Sequence, residues 1–185
     1  PAACRAMRAG WGPGMDHTQI GNRLLWETVQ RQLITEILQD YSYYVDRNDP
    51  QGLVTQVFCE DGEFELGAHH AVIGREELAR MFAKTLAPFR ATSHHVSNIR
   101  VRFHGDDRAE SSAYVYAWHI AADDGHRIDL WGRYHDQLRL TADGWRIAVR
   151  RLSVAGCDGW LNPPFDLIER LPNPDNPPSP KVTRR

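Results

Sequence analysis

The chain has 185 residues, 42% of them hydrophobic and 25% charged, enough apolar content for one globular domain with its own core. A formal net charge of -2 offers no attraction to nucleic acid or an anionic membrane surface, and no apolar run approaches the roughly 18 residues of a membrane span. Cys4, Cys59 and Cys157 are scattered and form no C-x-x-C pair, which argues against a disulfide framework or a thiolate zinc site and fits a reducing, cytoplasmic setting.

Residues 1–14 are rich in Ala, Gly, Arg and Pro and carry no periodic pattern. With Met15 as a candidate start, 1–15 are set aside as a disordered lead or a remnant foreign to the native chain. Asp16–Asn22 reads as a polar lead-in to a helix beginning near Arg23. From Leu24 to Val45 the apolar residues recur at helical spacing, with Leu33, Ile34, Ile37, Leu38, Tyr41, Tyr44 and Val45 as the buried stripe; an end is expected around Asp46–Asn48. Asp49-Pro50 is an N-cap acid followed by proline at the first helical position, which starts a short second helix through about Phe58. Glu60-Asp61-Gly62 reads as a turn, followed by two short strands, Glu63–Gly67 and Ala71–Ile73, joined around His69-His70. Gly74–Leu86 gives a third helix that buries Leu78, Met81, Phe82 and Leu86 and stops before Pro88.

The pattern then changes to alternation. Thr92–His104, Glu110–Ala122, Arg127–Leu140 and Trp145–Ala155 are separated by acid-plus-glycine turns, the signature of an antiparallel meander. Seven prolines between Pro163 and Pro180 preclude a long helix in the tail, residues 157–185, although Phe165–Leu171 suits a turn or two. Trp160 and Phe165 are candidates to fold back over the sheet, and the last residues read as disordered. The fold class is α+β: three helices gathered on one face of a curled antiparallel sheet, with a pocket between the layers, spanning residues 16–156.

At the start of the meander, Ala91–Asn98 puts two adjacent imidazoles on one strand. Alternation places Thr92, His94, Val96 and Asn98 on one face and Ser93, His95, Ser97 and Ile99 on the other, so only one histidine of the pair looks inward. Taken alone, the residues leave two readings open. His94 is a proton carrier in a cavity, or a hydrogen-bonded core histidine; Asp46 is its partner, or a solvated helix end.

Several motifs occur in an order and spacing that resemble one family. They are Tyr41–Asp49 at the helix end, Phe58-Cys59-Glu60-Asp61-Gly62, Thr92–Asn98, Gly132-Arg133-Tyr134-His135-Asp136, and Asp143–Ile147 through Arg150. Together they are similar to the SnoaL-like branch of the nuclear transport factor 2 superfamily, over about Leu24 to Ala155. The resemblance implies a cone-shaped α+β domain around a blind pocket. Within the superfamily the pattern is nearest to scytalone dehydratase, bile-acid 7α-dehydratase and hexachlorocyclohexane dehydrochlorinase. Those enzymes pair an aspartate near the helix end with a histidine on the facing strand, and Asp46 and His94 occupy these positions. The dehydratase's second pocket histidine falls on His119, and the dehydrochlorinase's pocket arginine on Arg150. The steroid isomerase's aspartate falls near Leu66, which cannot serve as that base. The serine and asparagine of scytalone dehydratase fall on Gly132 and Tyr134, so its substrate does not carry over.

The activity so implied is a cofactor-independent lyase. It eliminates water or a similar group, or formaldehyde from an aromatic diol, from a small apolar cyclic or aromatic substrate. His94 is the base, and Asp46 holds its other nitrogen and stabilises the imidazolium. His119, Tyr41, Tyr134 and Arg150 are the candidate substrate-binding residues. His119 protonates a leaving hydroxyl or polarises a carbonyl, or is a strand-end histidine reaching solvent. The tyrosines donate to a substrate oxygen, or are buried with satisfied hydroxyls. Arg150 holds an anionic group, or pairs with Asp46 or Asp136. An isomerase or polyketide cyclase would use the same pocket. A non-catalytic partner similar to the β subunit of ring-hydroxylating dioxygenases would have its interior filled and the His94–Asp46 contact missing. No metal is expected, since strand geometry splits His94-His95 across faces and His69-His70 likewise, and no glycine-rich phosphate loop is present. Tyr114, Tyr116, Trp118 and Trp131 mark the sheet face as the surface of a homodimer or homotrimer.

Overall fold

The computed structural model describes residues 16–66, 71–160 and 168 of the chain. Helix α1 (His17–Asp46) begins well before Arg23, because the polar lead-in is its cap. The Asp16 carboxylate accepts from the Gln19 N–H at 2.8 Å, and the Gln19 side chain accepts from the Asp16 N–H at 3.1 Å. Its buried line is Ile34, Leu38, Tyr41 and Val45. Leu33, expected on that stripe, is 42% exposed, since it sits one residue, about 100°, around the helix from Ile34. The first half of α1 touches the sheet through Trp26, whose ring lies 5.2 Å from that of Phe103.

Asp49 and Pro50 start α2 (Pro50–Val57), with the Asp49 carboxylate accepting from the Gly52 N–H at 2.8 Å. A Cβ at Gly52 would come 2.4 Å from that carboxylate, so the cap itself requires glycine. The expected turn at Glu60-Asp61-Gly62 is instead part of one strand, β1 (Phe58–Leu66), which carries an irregularity between Phe58 and Glu63 where it meets its neighbour. Strand β2 (Ala71–Ile73) pairs with it, and α3 (Arg75–Leu86) follows from Gly74. The His69-His70 loop lies outside the described residues.

The meander forms as expected: β3 (Phe89–Phe103), β4 (Arg108–Ala121), β5 (Arg127–Thr141) and β6 (Gly144–Asp158). The sheet has six strands in the order β2-β1-β6-β5-β4-β3. All neighbours are antiparallel except β1 and β6, which run parallel and join the hairpin to the meander. That parallel pairing is long-range and has no local sequence signal. One expected face assignment fails on β3. The register shifts between Ser97 and Arg100, and Asn98 takes φ +53°. The bulge flips the alternation, so Val96 and then Ile99, Val101 and Phe103 all pack against the core. The side of the sheet away from the core carries Tyr114 and Trp131 exposed and Tyr116 and Trp118 half-buried.

The tail does not leave the domain at Gly156: β6 continues to Asp158, and the Ile168 N–H donates to the Val154 carbonyl at 2.7 Å. The readings made for residues 1–15, for Phe165 and for the final residues lie outside the described residues. Among the described residues no helix is long and apolar enough to cross a membrane.

A row of polar side chains crosses the inner face where β4, β5 and β6 are in register, Ser111 opposite Asp136 and Asp136 opposite Arg150. The fully buried Arg150 grips Asp136 bidentately, Nε to Oδ1 at 2.8 Å and Nη2 to Oδ2 at 2.9 Å, and the Ser111 hydroxyl donates to Asp136 at 3.1 Å. Breaking such a pair strands a charge in the core. Asp136→Leu is therefore expected to cost about 3–5 kcal/mol in denaturant unfolding, and adding Arg150→Met should restore most of it.

Candidate active site

Between the helices and the inner sheet face lies an open-mouthed cavity of about 780 Å³. Its walls are mainly apolar, with Val45 from α1, Phe82 and Leu86 from α3, and Ala117, Leu130 and Leu152 from the sheet. Small residues at Ala117 and Ala121 leave the space open on β4.

Asp46 is the last residue of α1, where the helix dipole disfavours a carboxylate. The start of β3 supplies the compensation. Asp46 accepts from the Thr92 hydroxyl at 2.8 Å, from the His94 backbone N–H at 2.9 Å, and from His94 Nδ1 at 2.7 Å. Burial alone would push the Asp46 carboxyl up. The hydrogen bonds from His94, the charge of that ring and the Thr92 hydroxyl outweigh it and hold the group below its ordinary range. The His94 side chain is 9% exposed and lines the cavity, and with Nδ1 committed to Asp46 its Nε2 is the nitrogen free to react.

His119 lies beside it, its ring centroid 5.3 Å from that of His94 in an edge-on arrangement and 4.7 Å from that of Phe89. Burial, then the charge of His94, pushes its imidazole down to about 4, so it is neutral at pH 7. Nδ1 sits 3.4 Å from the Ile128 carbonyl, which can only accept; the proton is therefore on Nδ1, and Nε2 presents a lone pair. Of the expected alternatives, a strand-end histidine reaching solvent does not hold, since His119 is buried.

Tyr41 and Tyr134 both line the cavity, with ring centroids 5.4 Å apart. Arg150, expected to hold a substrate anion, lies behind them in its pairing with Asp136 and does not form the wall. Its guanidinium carbon is 4.2 Å from the Tyr41 ring centroid and 4.1 Å from that of Tyr134. The expected split of the histidine pair holds, since His95 stacks on the Tyr116 ring at 5.8 Å on the opposite face of the sheet.

Three contributors, Thr92, Asp123 and His126, escaped the sequence reading, and Trp160 was expected only to fold back over the sheet. Thr92 was assigned the right face but no role. Asp123 and His126, at the β4–β5 turn, and Trp160, beyond β6, also line the cavity. The turn residues read locally as hairpin chemistry, and only the docking of that turn brings them to the cavity. Asp123, Asp124 and His126 also gather their ligand atoms within 4.8 Å of one another, all exposed, as the described group that could hold a metal.

A SnoaL-like domain model matches residues 26–151. A solved structure from Novosphingobium aromaticivorans, named provisionally as a scytalone dehydratase, is 27% identical with a TM-score of 0.74, covering 79% of this chain and 97% of that one. A second from the same organism, named provisionally as an aromatic ring hydroxylase, is 25% identical with a TM-score of 0.67, covering 72% and 95%. A hexachlorocyclohexane dehydrochlorinase is similar in fold, at 18% identity and a TM-score of 0.66, covering 76% and 97%. Comparison with curated protein sequences gives no match.

The burial of His119 has a direct spectroscopic consequence. In an NMR titration its ring is expected to stay neutral from pH 8 to below pH 5, ionising near about 4. A His119 resonance titrating around 6.5 would contradict the neutral, desolvated ring described above.

Proposed function

The chain belongs to the SnoaL-like domain family, and we propose that it is a lyase that acts without a cofactor by His94–Asp46 acid/base catalysis. The observation that carries this reading is the 2.7 Å contact between His94 Nδ1 and Asp46 beside an open, largely apolar cavity. His94 Nε2 takes a proton from a carbon of a small cyclic or aromatic substrate, and Asp46 stabilises the imidazolium that results. The same imidazolium then returns its proton to the departing group. His119, held neutral, accepts a hydrogen bond from a substrate hydroxyl and so orients the ring. The apolar walls select substrates with little charge and exclude competing water. Neighbours named as a dehydratase and a dehydrochlorinase favour elimination over isomerisation or cyclisation, both of which would use the same base. An unfilled interior with the dyad in contact is also the opposite of what a purely structural subunit requires.

The test is a panel of hydroxylated cyclic compounds, followed by absorbance of the unsaturated product, with wild type, His94→Ala and Asp46→Asn. His94→Ala should lower kcat/KM by about 10²–10⁴-fold, and Asp46→Asn by about 10²-fold, the latter with a lower melting temperature because Asp46 accepts three hydrogen bonds from β3. Turnover that survives His94→Ala would reject the mechanism. The carboxylate's depressed pKa also sets a sign. The stabilisation from its contacts is present above the ordinary carboxylate range and lost as pH falls through the lowered value, so activity should not decline through loss of Asp46 charge until strongly acid pH.

A further inference from the structure

Among the residues that line the cavity, Thr85, Pro88, Ala122, Asp123, His126 and Gly159 are exposed and mark its mouth. The β4–β5 turn therefore forms one side of the entrance, and it is tied in place where the Ala122 N–H donates to the Pro88 carbonyl at 2.8 Å. His126 lies two residues before Ile128, which lines the cavity from β5, and its carbonyl accepts from the Ala121 N–H at 3.0 Å. The pairing of β4 with β5 thus continues past the end of the strand, and alternation keeps His126 on the inner face. His94 stands in the row of Ala117 and Leu130; His126 stands two inner-facing rows further out, roughly 13 Å along the strands.

This second histidine is oriented as the first is. Asp124 accepts from the His126 backbone N–H at 2.9 Å and from its Nδ1 at 2.5 Å, the same two-point grip by which Asp46 holds His94. A carboxylate can only accept, so Nδ1 carries the proton and, in the neutral ring, Nε2 offers a lone pair. Beside it stands Asp123, the single described residue of the cavity lining that belongs to the Asp, Glu, Lys or Arg types. Asp123 accepts from the Asp124 N–H at 2.8 Å, which leaves most of its acceptor sites free. The mouth thus offers acceptors and a carboxylate, an arrangement that suits a donor and repels an anion.

We propose that His126 and Asp123 form a specificity subsite at the cavity mouth, which takes a hydroxyl at the end of the substrate remote from the reacting carbon and turns away a carboxylate there. Which end is remote rests on His94 acting as the base. The hydroxyl donates to His126 Nε2, while Asp123 supplies the repulsion that excludes an anion. The substrate is accordingly long enough to reach from His94 to the mouth, the size of a fused bicyclic compound, with its apolar rings against the walls between.

The subsite is read by binding, without turnover. The probes are naphthalene-2,6-diol, its monomethyl ether and 6-hydroxy-2-naphthoate, titrated into the full chain by calorimetry at pH 8 with a chelator present. The diol should bind about three- to tenfold more tightly than the ether, and the naphthoate more weakly than either. His126→Phe should bring the diol-to-ether ratio to about one, and Asp123→Asn should raise naphthoate affinity by about threefold or more while leaving that ratio in place. The Nε2 resonance of His126 should move with the diol and not with the ether, which reads the contact without any variant. A wild-type ratio of one or less, a ratio that survives His126→Phe, an Nε2 resonance indifferent to the diol, or a preference that appears only when a divalent cation replaces the chelator would overturn the proposal. A naphthoate affinity unmoved by Asp123→Asn would remove Asp123 from the subsite. A hydroxyl preference with no turnover of any hydroxylated compound would instead reject the lyase reading and leave the subsite standing.

Discussion

The candidate site depends on how one carboxylate is held. Asp46 ends a helix, where its charge is unfavourable, and the start of β3 supplies the compensating hydrogen bonds. By accepting from Thr92 and from both the backbone and the ring of His94, it ties the helix end to the sheet edge. The same hydrogen bonds fix the imidazole's orientation and tautomer. Docking of the helix end and orientation of the imidazole are therefore one interaction.

The buried row Ser111–Asp136–Arg150 has a comparable double role at the core. A fully buried ion pair contributes little net stability compared with apolar packing, and in the observed register Ser111, Asp136 and Arg150 stand opposite one another. That register places Tyr134 beside Tyr41 over the guanidinium, and His119 beside His94. The mainly apolar cavity thus gathers His94, His119, Tyr41 and Tyr134 on its walls.

Most of the architecture is legible locally. The Asp49-Pro50 cap, the helix over Gly74–Leu86 and the four alternating strands depend on short-range physics: capping, period and turn chemistry. Misreadings occur where a distant partner overrides a local signal. Glu60-Asp61-Gly62 has turn composition, yet it continues the strand as an irregular stretch between Phe58 and Glu63, which both pair with β6. Asn98 carries no visible mark of a bulge, yet its positive φ moves Ile99 to the inner face. Leu33 has the hydrophobicity of a core residue but lies outside the face that the sheet covers.

The sequence by itself determined the element order, the α+β class and, through its likeness to the SnoaL-like family, the choice of His94 and Asp46. Strand alternation also dictated that His94 and His95 face opposite ways. Only the tertiary structure decided which charges meet. It gave Arg150 to Asp136 rather than to a substrate, kept His119 neutral by burial, and brought the β4–β5 turn and Trp160 to the cavity. The physical reason is that capping and periodicity act between near neighbours in the chain. Desolvation and ion pairing depend on distances between segments far apart in sequence, and those exist only once the sheet has closed over the helices.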